Sequence, residues 1–153
     1  MIEIREMQMQ DVPAVCAFVK TVFDEYLSST YTDEGNRTFY AYIEPQAMRT
    51  RMHEGGLGFV AESSKAIVSH IEIRNNSHIC LLFTHTLYQR QGLAHALVDL
   101  ALTRCSELDP HIAAVSVNAA VSAVSTYQRL GFKTIDSVQQ RNGITFVPMI
   151  RLL

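Results

Sequence analysis

The stretch Tyr88-Gln89-Arg90-Gln91-Gly92-Leu93-Ala94 joins two segments of opposite pattern. Before it lies the apolar run Ile79-Cys80-Leu81-Leu82-Phe83, which has strand character. After it Leu93, Leu97, Leu100 and Ala101 recur at helical spacing. The order strand, glycine turn, helix commits this part of the chain to a layered α/β architecture. Such a turn leaves several backbone N–H groups unpaired and places them at the positive end of a helix dipole. Such a turn is either a ready site for a pyrophosphate or a plain strand-to-helix connection. Gly92 matters most there, because a side chain would block close approach of the phosphates. Two other phosphate loops are excluded, since neither G-x-x-x-x-G-K-[ST] nor G-x-G-x-x-G occurs.

The remaining segments alternate between the two periods. Ile2–Glu6 reads as a first strand. Val12, Val15, Cys16, Val19, Phe23 and Tyr26 follow at helical spacing, with Pro13 suited to a first turn. Residues 28–44 break the pattern; they are polar, yet hold Tyr31, Phe39, Tyr40 and Tyr42. A helix is expected from Pro45 to His53, ended by Gly55-Gly56. Strands are expected at about 57–62, 66–74 and 78–84, with turns at Ser63-Ser64 and Asn75-Asn76. The helix after the glycine turn runs to about Glu107, stopped by Asp109-Pro110. A buried strand is expected over 112–117, and a helix is marked by Val121, Val124 and Leu130. Arms at 132–139 and 144–152 flank Asn142-Gly143, a strong hairpin signal. The expected fold class is α/β, a mixed sheet with helices on both faces and a C-terminal β-hairpin.

A length of 153 residues fits one domain, 1–153, with room for a real core. The net charge of −2 supplies no basic excess for nucleic-acid binding, and no apolar run reaches membrane-spanning length. Cys16, Cys80 and Cys105 are odd in number and form no C-x-x-C pair. With no signal-peptide form at Met1–Arg5, they are expected to be reduced thiols in a cytoplasmic protein. The six histidines show no recurring ligand spacing, so no metal site is expected.

Downstream of the glycine turn come Val117-Asn118 and then Tyr127-Gln128-Arg129-Leu130-Gly131-Phe132. Taken together, the two signals resemble the GNAT superfamily of acyl-CoA-dependent N-acyltransferases, over essentially the whole chain and most strongly from His78 to Leu153. The family's acetyl-CoA loop is Gln/Arg-x-x-Gly-x-Gly/Ala, followed by an Asn, a Tyr and Gly-Phe. Ala94 stands where glycine is more frequent, and Gln91 replaces a commonly basic residue. The resemblance implies that Gln89, Arg90, Gln91, Gly92, Leu93 and Ala94 bind the pyrophosphate of acetyl-CoA. It also implies that backbone groups of Leu82, Phe83 and Thr84 bind the pantetheine and polarise the thioester carbonyl. The strands before the turn and over 112–117 would splay apart to admit that arm.

The same resemblance makes Tyr127 the general acid beside the departing sulfur; the alternative is a tyrosine packed between sheet and hairpin. Asn118 either bonds the CoA arm or caps the next helix. Arg90 either meets phosphate or is a solvated surface arginine. For the base, His78 stands where some family members carry a glutamate, and a histidine titrates near neutrality. Glu72, on the preceding strand and on one face with His70, is the rival. The expected activity is acetyl transfer from acetyl-CoA to a small-molecule or peptide amine by direct attack in a ternary complex. An acyl-CoA sensor without catalysis is the alternative, and one that has no need of Tyr127 or His78. The aromatic stretch from Tyr31 to Tyr42 falls where the family varies and binds acceptors. Acids Asp33 and Glu34 there either attract a cationic amine or are simply solvated. The acceptor and the oligomeric state, a homodimer included, stay open.

Overall fold

A computed structural model describes residues 1–153. Its elements are β1 (Ile2–Glu6), α1 (Val12–Tyr26), α2 (Asp33–Tyr42), α3 (Pro45–His53), β2 (Leu57–Ser63), β3 (Ala66–Arg74) and β4 (His78–Thr84). Then come α4 (Leu93–Leu108), β5 (Ala114–Ala119), α5 (Val124–Arg129), β6 (Lys133–Thr134), β7 (Gln139–Arg141) and β8 (Ile144–Leu152). The sheet order is β1-β2-β3-β4-β5-β8-β6, with β7 also paired to β8. Every pairing is antiparallel except β4 with β5. The expected mixed sheet is therefore present.

Each face of the sheet has its own core. On one side α4 buries Leu97, Val98, Ala101 and Leu102 against Phe59, Ile71, Ile73 and Ile79. On the other, α1 buries Val12, Val15, Val19 and Phe23 against Val60 and Leu81, with Phe39 of α2 and Met48 of α3 closing the layer. These are the residues whose spacing marked the strands and helices.

Three expectations need correction. Residues 28–44 are not irregular: α2 occupies most of them. Thr32 caps it, its hydroxyl accepting from the Gly35 N–H at 3.0 Å, and Asp33 and Glu34 lie in its first turn. Both acids thus sit where the helix dipole favours negative charge. The strand expected over 112–117 lies at Ala114–Ala119, because Ile112 is held in a turn by its bond to the Asp109 carbonyl, 3.1 Å. Finally, the first hairpin arm is broken into β6 and β7. The Ile135 N–H donates to the Pro148 carbonyl at 3.0 Å. In an antiparallel strand a residue's N–H and C=O share one side, so the N–H that proline lacks would have faced this same arm. The ladder fails there, and Ile135 and Val138 are left exposed.

Candidate active site

The parallel pair β4–β5 is short. Only His78 with Ser116 and Ile79 with Val117 are in register. Past them the strands diverge. The β4 edge facing β5 therefore has no ladder partner from Cys80 to Thr84. A bulge accompanies the divergence: β3 pairs Glu72 with Leu81 and Ile73 with Ile79, which leaves Cys80 as the extra residue.

Two cavities open on either side of this point. The larger, about 620 Å³, lies between β4, the turn into α4, the end of β5 and α5. Its size is within the usual range for ligand pockets, about 300–1,000 Å³. The smaller, about 260 Å³, lies among α2, β4 and the β7–β8 hairpin. Tyr31, Phe39, Cys80, Leu81 and Asn118 line both. No Asp or Glu lines either one.

At the turn, none of the backbone N–H groups from Arg90 to His95 finds a partner within the chain; the first bond of α4 runs from Ala96 to the Gly92 carbonyl, 2.9 Å. Gly92 has φ +81, a left-handed backbone that favours glycine, and a Cβ built there would meet nothing within 4 Å. The space over it is open to a ligand. Side chains brace the turn from behind. Gln89 donates to the Thr84 carbonyl and Gln91 to the Leu87 carbonyl, each at 3.1 Å. Gln91 is thereby turned away and does not line the cavity, whereas Gln89, Arg90, Leu93 and Ala94 do. Arg90 and Arg129 on the cavity wall have no ion-pair partner. The unspent amides, the missing Cβ and the cationic lining fit a pyrophosphate. Leu82, Phe83 and Thr84 line the same cavity along the open β4 edge.

Asn118 lies on β5, opposite Pro148, and faces both cavities. It caps no helix: Ala120 precedes the short turn that leads to α5, and Ala123 caps α5 itself. Tyr127 lines the larger cavity only, and its hydroxyl has no hydrogen-bond partner in the chain. Its ring packs edge-on to Phe132, with centroids 5.5 Å apart. Burial raises its pKa, so the phenol keeps its proton.

His78 lines the smaller cavity only. Its Nδ1 lies 2.7 Å from the Ser116 hydroxyl, which itself reaches the Ser77 carbonyl at 3.3 Å. If the serine proton goes to that carbonyl, Nδ1 carries the histidine proton and Nε2 keeps a free lone pair. Burial, then the nearby Arg74, pushes the His78 pKa down to about 4, so the ring is neutral at pH 7. Glu72 lines neither cavity. It is 3% exposed and holds Arg51 of α3 through Nε at 2.7 Å and Nη2 at 3.1 Å. Both carboxylate oxygens are engaged in that pair, which anchors α3 to the sheet. The His70 beside it is fully buried, with neither ring nitrogen bonded.

Residues 27–153 match the family model of the acetyltransferase (GNAT) domain. The chain belongs to this family. No curated protein sequence matches it. Among solved structures, a GCN5-related N-acetyltransferase from Rhodopseudomonas palustris superposes with a TM-score of 0.82 at 16% identity, covering 99% of this chain and 95% of that one. The PaiA N-acetyltransferase of Thermoplasma acidophilum, solved with coenzyme A, gives 0.81 at 16% identity over 100% and 99%. A GNAT-family acetyltransferase from Staphylococcus aureus gives 0.78 at 16% identity, with 99% of each chain covered. At these identities the likeness is one of fold.

Sequence reasoning missed Arg74, Arg141, Phe146 and Ser116. Arg74 continues the alternation of His70 and Glu72 along β3, and Arg141 adjoins the Asn142-Gly143 turn. Those positions were legible, but that the hairpin tip folds back over β4 was not.

Proposed function

We propose that this GNAT-family chain is an N-acetyltransferase that moves the acetyl group of acetyl-CoA to an amine by direct attack in a ternary complex. The observation that carries this reading is the pair of cavities meeting at Cys80, Leu81 and Asn118. One is built for a pyrophosphate and a long thin arm, the other for a smaller second molecule. Two substrates entering from opposite sides would meet at one point, which is what direct transfer needs.

In this account the amides from Arg90 to His95 hold the pyrophosphate, and the unpaired β4 edge runs beside the pantetheine. The acceptor nitrogen forms a bond to the acetyl carbon, the carbon–sulfur bond breaks, and the nitrogen loses a proton. His78 stands on the acceptor side to receive that proton at Nε2. Tyr127 stands on the CoA side to donate a hydrogen bond to the departing sulfur. Direct attack needs no acetyl-carrying residue, and Cys80 at the junction is poorly suited to be one, since burial pushes its thiol pKa up.

The test is release of free thiol from acetyl-CoA with a panel of amines, the products checked by mass. Acetylated amine with stoichiometric free CoA supports the reading. Tight acetyl-CoA binding with no amine acetylated would instead mark a sensor.

A further inference from the structure

We propose that the smaller cavity selects an acceptor amine that carries a carboxylate, with Arg74 and Arg141 as its anion-recognising residues. The acceptor class is then a small α-amino acid or close analogue with an apolar body, not a polyamine. This rests on the acetyl-transfer reading and names the acceptor for it.

The argument starts from charge. The chain holds 15 acidic side chains against 13 Lys and Arg, so an indifferent surface would show both signs. Yet the cavity wall carries two arginines and no acid. Neither Arg74 nor Arg141 has a carboxylate partner, which they share with Arg37, Arg49, Lys65, Arg90, Arg129 and Lys133; what sets them apart is that both line one cavity. The nearby Glu72 is neutralised by Arg51. Asp24 is bound by Lys20 and Tyr40, and Asp33 and Glu34 belong to the first turn of α2, outside the lining.

The second arm of a polyamine would therefore meet two guanidinium groups and no counter-ion. A carboxylate would meet two unpaired forks of N–H donors, the geometry arginine offers best. Arg74 reaches the cavity from the end of β3 and Arg141 from the hairpin tip, so an anion could be gripped from two elements. Most of the rest of the wall is apolar, Phe39, Ile79, Ile144 and Phe146 among it, with Thr38, His78, Asn118 and Asn142 as its uncharged polar members. At about 260 Å³ it suits a small molecule. The amine end would then point to the junction at Cys80 and Asn118.

The test compares leucine and phenylalanine with their amides, their decarboxylated amines and spermidine in the free-thiol assay. In parallel, calorimetry measures binding of N-acetyl-leucine and N-acetyl-leucinamide to the CoA-loaded protein. Expected is a preference of about 10- to 100-fold for the carboxylate form in both readouts, the usual weight of charge-assisted hydrogen bonds. Arg74→Gln and Arg141→Gln should each remove most of that preference by raising KM for the amino acid, with acetyl-CoA affinity unchanged. Equal binding of acid and amide, preference for spermidine, or a preference untouched in both variants would overturn the proposal. If no amine is acetylated but the carboxylate preference persists in calorimetry, the anion site is supported and the transfer reading alone fails.

Discussion

At the scale of the residue, the environment assigns unequal work to His78 and Tyr127. A histidine at about 4 is already deprotonated at pH 7, but it is a weak base. Even an α-amino group titrates near 8, so drawing its proton in the ground state is uphill by about four pKa units or more. His78 is better placed to accept a proton once the nitrogen has bonded to carbon and become far more acidic. We therefore predict that His78→Ala lowers kcat/KM by about 10- to 10²-fold, the low end of general-base catalysis. The base works deprotonated, so the wild-type rate should show no loss assignable to His78 until the pH falls towards 4. A fall centred near 6.5 that vanishes in His78→Ala would contradict the burial argument. For Tyr127 the raised pKa means that full proton transfer to a thiolate, near 8.5, is unfavourable, whereas a hydrogen bond is not. Tyr127→Phe should cost about 10- to 10³-fold in turnover and leave CoA affinity nearly unchanged. Turnover at the wild-type rate would make the hydroxyl merely structural.

At the scale of the element, α2 and the hairpin form one roof over the smaller cavity. Thr32 donates to the Gly143 carbonyl at 3.0 Å and Thr38 to the Asn142 carbonyl at 2.9 Å. Asn142 and Gly143 both have positive φ, as a tight two-residue hairpin turn requires. A Cβ on Gly35 would run into the Gly143 carbonyl, so the helix and the turn can touch only through glycine. Helix propensity alone predicts that Gly35→Ala stabilises by about 1 kcal/mol. The packing predicts the reverse, a loss of about 1–3 kcal/mol in urea unfolding, with weaker acceptor binding and intact CoA binding. A more stable variant would show that the roof can lift at no cost. This element also shows where the sequence was legible. The helices and strands of the two cores follow from their period, because burial itself imposes it. The cap at Thr32 and the spacing of Gly35, Phe39 and Tyr42 were present in α2, but its aromatic content made it read as an irregular acceptor loop. The glycine turn and the order of Asn118 and Tyr127 were visible because local chemistry fixes them. Arg74 and Arg141 were not, because only the return of the hairpin over β4 brings them to one cavity.

At the scale of the whole molecule, charge and burial set how the protein responds to pH and to ligand. His70, fully enclosed, is pushed down to about 3 by burial and by Arg51. Its unfolded value is near 6.5, so below that pH the unfolded chain binds a proton that the folded chain refuses. Stability is then complete above pH 6.5 and falls as the pH drops towards 3, by about 1.4 kcal/mol per unit from this group. His78, pushed down to about 4, adds to the same slope, so urea titrations from pH 7 to 4 should show the wild type steeper than His70→Leu by about 1.4 kcal/mol per unit; equal slopes would place the acid sensitivity elsewhere. The two cavities, free of acid, form a path rimmed by the exposed arginines Arg74, Arg90, Arg129 and Arg141 in a chain of net charge −2. That path begins at the turn before α4, and the whole account depends on a pyrophosphate seating there. Calorimetric titration of acetyl-CoA into the wild type and Gly92→Asp is the direct measurement. The variant places bulk and negative charge in the open space above the free amides, in a left-handed backbone that aspartate adopts at less cost than most side chains. The account predicts wild-type binding and at least about 100-fold weaker binding by Gly92→Asp, the equivalent of about 2.7 kcal/mol, with circular dichroism unchanged. Equal affinity in the two proteins would contradict it.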